Sequence, residues 1–279
     1  MKTIVRTLCF ILCVFWAVTG FAKGKADNIR IVYKKPKDPQ LLVIHDELKE
    51  RESLKRIKEF LKPYRLPRKL KIMLSDCDGE SDAFYGDYEI TICYEYIDLL
   101  WQGMPAETTP SGVEPIDTVI GPLVDTTLHE FAHALFDILE IPVLGREEDA
   151  ADQVGAYIYL QLGIEEARRL IAGTAYAYLY EAAKAENEGI KADYSDEHGT
   201  PEQRAYNVLC MAYGADTRAF KDVVGKGFLP EKRAEFCEEE YEQVQDAFET
   251  LIGPHIDQDL AREIFDRTWL DQGSSTLPR

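Results

Sequence analysis

The hydrophobic positions change period part-way along the chain. Early on they alternate or form short apolar runs: Ile29-Arg30-Ile31-Val32-Tyr33, Leu70-Lys71-Ile72-Met73-Leu74, and the pair Ala83-Phe84-Tyr85 and Tyr88-Glu89-Ile90-Thr91-Ile92. Such runs predict strands. Gly86-Asp87 joins the last pair, and Gly at the first turn position predicts a type II′ hairpin that sets Cys93 opposite residue 80. Between the first two strands, Ile44, Leu48, Leu54, Ile57 and Leu61 predict an amphipathic helix with a charged outer face. The stretch 101–117, rich in Gly, Pro and Thr, reads as a surface loop. Helical spacing then takes over at 154–162, 165–171, 174–186, 201–213 and 231–252, with Gly163, Gly173, Gly189, Gly214 and Gly227 as the breaks. The tyrosines at 176, 178 and 180 read as packing.

The junction between these halves carries the chemistry. Residues 122–139 read as one helix, with Pro122 in its first turn and Pro142 ending the pattern. Val124, Leu128, Phe131, Leu135 and Ile138 form its core face. His129 and His133, four apart, stand one above the other on a neighbouring face. Two neutral imidazoles so placed can bind one zinc ion, and Glu130 between them can reach a water on that metal. With five His in 279 residues, chance produces HExxH in roughly one such chain per hundred. The run Gly145-Arg146-Glu147-Glu148-Asp149-Ala150-Ala151-Asp152 then opens a second helix, with Glu148 and Asp152 four apart. A carboxylate can be the third ligand, and another can accept the remaining N–H of a ligand histidine. Acidic residues also suit a helix N-terminus for its dipole alone. The order HExxH, short turn, ExxxD is what gives this second motif its weight.

HExxH followed by ExxxD resembles the gluzincin metallopeptidases, in which the ExxxD glutamate is the third zinc ligand. The run from His129 to Asp137 is also similar to the active-site helix of thermolysin-like enzymes. More closely, HEFAHALFDILEIPVLGREEDAADQ (129–153), ITICYE (90–95), DEHGTPEQR (196–204) and the paired cysteines resemble a family of secreted bacterial metallopeptidases, often labelled a domain of unknown function. The resemblance covers most of the mature chain. One departure is that 14 residues separate His133 from Glu148, fewer than in thermolysin-like enzymes.

The resemblance implies an α+β, zincin-like fold. A small mixed sheet and the active-site helix would make an N-terminal lobe, about 23–140, and a mostly helical lobe would follow, about 141–271. Both belong to one domain, 23–279. Zinc would be held by His129, His133 and Glu148, with Glu130 as general base. Asp152 would orient a ligand histidine, and Asp137 would do similar work from the other side. His198, in the loop Tyr194-Ser195-Asp196-Glu197-His198-Gly199-Thr200, would stabilise the developing oxyanion, with Tyr194 and Arg204 as other donors in reach. The arm Ala83-Phe84-Tyr85 is the candidate strand for pairing with an extended peptide.

Charge and cysteines bear on setting and partners. Residues 1–22 read as a signal peptide: Lys2 and Arg6, then an apolar run, then small residues. Its removal takes the net charge from −18 to −20. So acidic a chain is expected to avoid nucleic acid and anionic membrane surfaces, and to favour basic substrates by steering. The expected partner is a peptide or protein substrate for an exported, periplasmic or secreted protein that does not stay in a membrane; the oligomeric state is open. Cys77, Cys93, Cys210 and Cys237 remain in the mature chain. Four cysteines in an oxidising compartment allow three pairings, of which the local one, Cys77–Cys93 and Cys210–Cys237, is expected. Two other readings use the same residues. One is an inactive zinc- or peptide-binding protein of the envelope, which has no need of Glu130 as a base. The other is a scaffold whose histidines merely pack.

Overall fold

The computed structural model describes residues 28–270. The leader read at 1–22 and the frayed end read at 272–279 lie outside the described residues. The fold is α+β, with a small mixed sheet first and helices after it.

The sheet has strands β1 (Ile29–Tyr33), β2 (Leu70–Ser75), β3 (Ala83–Gly86) and β4 (Glu89–Cys93), in the order β1-β2-β4-β3. β1, β2 and β4 run parallel, and β3 lies antiparallel at the edge. Leu70, Ile72, Leu74, Ile90 and Ile92 are buried, as central parallel strands require. The amphipathic stretch between β1 and β2 is two helices, α1 (Leu42–Glu50) and α2 (Ser53–Phe60), because Glu52 takes a left-handed φ of 53° and turns the chain.

The β3–β4 turn differs from the expectation. Gly86 stays in the strand opposite Glu89, and the turn residues are Asp87 and Tyr88, with φ of 50° and 62°. Two left-handed residues make a type I′ turn, whose twist matches the strands. The register therefore shifts, and the Cys93 amide donates to Asp82, not residue 80. The disulfide Cys77–Cys93 forms nonetheless, with Cα atoms 5.6 Å apart. Directly after it comes α3 (Tyr94–Gln102), a helix the strand-like sequence ITICYE conceals. Its Glu95 carboxylate accepts the amides of Cys77 and Gly79 and anchors that loop.

Helix α4 (Asp117–Ile138) is the centre of the molecule, packed on β3 and β4 at one side and on α5 (Glu147–Leu160) and α6 (Ile164–Asn187) at the other. It begins a turn earlier than Pro122 suggests. Pro122 lies inside it, and the start is secured by Asp117, which takes a two-pronged hydrogen bond from Arg169 of α6. Gly173 does not break the following segment. A Cβ on Gly121 would sit 2.7 Å from the Leu170 carbonyl and 2.9 Å from the Gly173 Cα, so the two glycines let α4 and α6 touch backbone to backbone. α4 ends in a Schellman motif: Glu140 is left-handed, and Ile141 and Glu140 donate to Phe136 and Asp137.

The chain continues through α7 (Pro201–Ala215), α8 (Lys221–Gly225), α9 (Glu231–Ala234), α10 (Cys237–Leu251) and α11 (Gln258–Phe265). The segment 231–252 is thus two helices, divided at 235–236. α7 starts with a full capping box of Thr200 and Gln203 followed by Pro201. The second disulfide, Cys210–Cys237, joins α7 to α10, as expected, across 5.0 Å between Cα atoms. Phe131, Leu135, Ile72, Ile90, Tyr159 and Ile264 belong to one apolar core that runs from the sheet into the helices.

Candidate metal centre

α4 and α5 cross where α5 is thin. A Cβ on Gly155 would stand 3.2 Å from the His129 amide, so the glycine brings α5 onto the α4 backbone. Two turns before Gly155, that approach delivers Glu148 to the two histidines, and Asp152 to one of them. His129 Nε2, His133 Nε2 and Glu148 Oε2 form a triangle with sides of 3.0, 3.1 and 3.3 Å. Donors at two vertices of a zinc tetrahedron with bonds of 2.0–2.1 Å are separated by about 3.3 Å.

The outer ring nitrogens explain why these donors face inward. Asp152 Oδ1 is 2.7 Å from His129 Nδ1, and Glu147 Oε1 is 2.8 Å from His133 Nδ1. A carboxylate on each Nδ1 assigns the proton there and leaves the Nε2 lone pair pointing inward. Two lone pairs and a carboxylate oxygen so close together repel one another unless a cation lies between them. The donor set therefore fits a metal ion. Among the described residues the other gathering of this kind is Cys77, Cys93 and Glu95, whose sulfurs are joined in the disulfide.

The local field points the same way. Burial works against a charged His129, but hydrogen bonds to Asp152 and Glu148 outweigh it and lift its pKa to about 9. The His129 hydrogen bond holds Glu148 down at about 2. Burial would raise Asp152, yet His129 and Arg204 together hold it well below the usual carboxylate range. Each shift means that positive charge is stabilised at the triangle, whether it arrives as a proton or a metal. Glu130 is different. Only 6% exposed, it is pushed up by burial, partly offset by the two histidines, and it accepts no hydrogen bond among the described residues.

Residues 33–252 match the model of a family described as "Putative metallopeptidase". The chain belongs to this family. No curated protein and no solved structure matches it. Membership of this metallopeptidase family implies a metal ion, and His129, His133 and Glu148 are gathered so that they can hold one.

The other expected residues sort themselves by contact. His198 Nε2 is 2.8 Å from Glu148 Oε2, and its ring centre is 5.7 Å from that of His129. It is presented by Arg146, whose Nη2 donates to the carbonyls of Asp196, Glu197 and His198 at 2.5, 2.5 and 3.1 Å. Arg204 does not stand ready as an oxyanion donor, because its guanidinium is engaged by Asp152. Tyr194 is 85% exposed and is not brought in. Asp137 is corrected too: it accepts the hydroxyl of Tyr85 at 2.6 Å, and Glu147 takes the place beside His133 that Asp137 was expected to fill. Asp137 lies one turn beyond His133 on the same helix, and its carboxylate reaches the sheet instead.

Two disulfides point to folding outside the reducing cytoplasm. No helix among the described residues is long and apolar enough to cross a membrane.

Proposed function

We propose that this metallopeptidase family member is an exported zinc peptidase of the HExxH–ExxxD type, in which His129, His133 and Glu148 hold the ion. The observation that carries the reading is the triangle of two Nε2 atoms and one carboxylate oxygen beside a buried, unengaged Glu130. Zinc, when bound, supplies a Lewis acid that acidifies water and polarises a carbonyl.

The chain's own groups do the rest. Glu130 would take a proton from the attacking water as the new C–O bond forms, and then pass it to the nitrogen of the leaving amine as the C–N bond breaks. A carboxyl raised by burial takes up a proton more readily than an exposed one, which suits its part as acceptor in that transfer. His198, whose Nε2 lies 2.8 Å from Glu148, would exchange that partner for the carbonyl oxygen as negative charge builds there. Asp152 keeps the His129 proton on Nδ1, and Glu147 does the same for His133. A peptide- or protein-binding role without hydrolysis would leave Glu130 as a buried acid with no task.

The test is metal analysis of the purified mature protein together with a broad peptide-library screen. The expected result is close to one zinc per chain and zinc-dependent cleavage. His129→Ala and His133→Ala should each lose most of the metal; full occupancy in the double variant would end this reading. Loss of zinc on Glu147→Ala but not Glu148→Ala would keep the centre and move the third ligand.

A further inference from the structure

Behind His129 a run of mostly buried polar groups crosses four helices. Asp152 of α5 accepts two hydrogen bonds from Arg204 of α7, from Nε to Oδ2 at 2.8 Å and from Nη2 to Oδ1 at 2.6 Å. The same Oδ1 meets His129 Nδ1 at 2.7 Å. The Arg204 guanidinium lies over the ring of Tyr178 on α6, 4.6 Å from its centre. The Tyr178 hydroxyl donates to Asp125 at 2.9 Å, and Tyr159 donates to the other oxygen of that carboxylate at 3.1 Å. Asp125 is buried on α4 one turn before His129, so the run returns to the helix where it started.

A carboxylate that accepted only the Nδ1–H of His129 would keep several lone pairs unsatisfied in a place poorly reached by water. It would also be free to rotate. The forked contact from Arg204 satisfies both oxygens and fixes the plane of the carboxylate, which a lysine ammonium cannot do. The fork must itself be held. The Tyr178 face supplies a surface for the guanidinium, and Asp125 fixes Tyr178 through its hydroxyl.

We propose that Arg204, held by Tyr178 and Asp125, is a positioning residue of the metal centre. It locks Asp152 against Nδ1 of His129 and thereby sets how tightly the site binds zinc. The proposal rests on the zinc reading above and extends it to residues that touch neither the ion nor a substrate. Its consequence is that the centre is complete only when α7 is docked, although α4 and α5 supply every ligand. Partners behind a ligand histidine typically change metal affinity by about 10–100-fold.

The experiment is competition with a chelator to obtain the zinc dissociation constant of wild type, Arg204→Lys and Tyr178→Phe, with thermal unfolding of the zinc-stripped proteins alongside. Arg204→Lys keeps the charge and loses the fork; it should weaken zinc binding about 10–100-fold. Tyr178→Phe keeps the ring and removes only the hydroxyl. It should weaken zinc binding less than Arg204→Lys does, and it decides the matter alone where Arg204→Lys does not fold. A purely structural network would lower the melting temperature and leave the zinc constant unchanged. That result in the folded variants would overturn the proposal while the centre itself stands. Failure of wild type to bind zinc would overturn the zinc reading and this one with it.

Discussion

The hydroxyl of Tyr85 donates to the carboxylate of Asp137 at 2.6 Å, joining the outermost strand of the sheet to the last turn of the helix that carries both histidines. Burial and the Asp137 charge push the Tyr85 phenol up, so it stays a donor at any working pH. The bond fixes how β3 lies along α4. Tyr85→Phe is expected to destabilise the protein by roughly 1.5 kcal/mol, the low end for a hydrogen bond to a charged group. Zinc content should not change. Zinc loss in this variant, measured by metal analysis, would return Asp137 to the metal site.

The disulfides give a second prediction. Non-reducing peptide mapping should recover Cys77 with Cys93 and Cys210 with Cys237. Cys77→Ser should lower stability by about 2–5 kcal/mol, read by chemical denaturation. Free thiols throughout the purified protein would contradict both the pairing and the proposed compartment.

The acid–base state of the centre gives a third, with two opposed trends. In zinc-stripped protein His129 has a pKa of about 9, above the ordinary 6.5. Its protonation therefore stabilises the fold fully below about pH 6.5, and this contribution is lost as pH rises through about 9. Glu148, held at about 2, contributes above its ordinary 4.5 and is lost as pH falls towards 2. Zinc must displace the His129 proton, so its apparent affinity should rise by about one log unit per pH unit up to pH 9. Titrations at several pH values check this. A flat profile would show that no proton leaves His129.

Much of the centre is legible in the sequence because its parts are local. His129 and His133 share one helix face with Glu130 beside it, and Glu148 and Asp152 share a face of the next helix, so helical period aligns each set and the HExxH–ExxxD order pairs them. The parts that escape it depend on partners far along the chain. Arg204 reaches Asp152 across 52 positions, and Tyr178 looks like packing until Arg204 lies over it. Gly173 reads as a helix break by propensity, yet it sits mid-helix where α6 meets Gly121; tertiary contact overrides the local preference. The hairpin misreading has the same origin. Gly86 is the obvious turn residue, but Asp87 and Tyr88 adopt the left-handed pair the twist requires.

Arg146 offers a fourth prediction. By holding three successive carbonyls it ties the loop that bears His198 to the start of the Glu148 helix. Arg146→Ala should keep zinc and lower kcat more than it raises KM, and Arg146→Lys should restore part of the loss. Hydrogen exchange of the amides at 196–198 should speed up in the Ala variant. Unaltered exchange together with wild-type kcat would show that the loop needs no clamp.

The fifth prediction goes to the central claim, that Glu130 is the base of a zinc peptidase. Glu130 is adjacent to His129 and so projects about 100° around the helix from that ligand, free to meet a water without joining the donors. The measurement is zinc content and peptide hydrolysis on the same preparation of Glu130→Gln. Zinc and melting temperature should match wild type, while hydrolysis falls by about 10²–10⁴-fold, the usual worth of a general base. Zinc retained with wild-type cleavage would contradict the account, as would loss of the zinc itself.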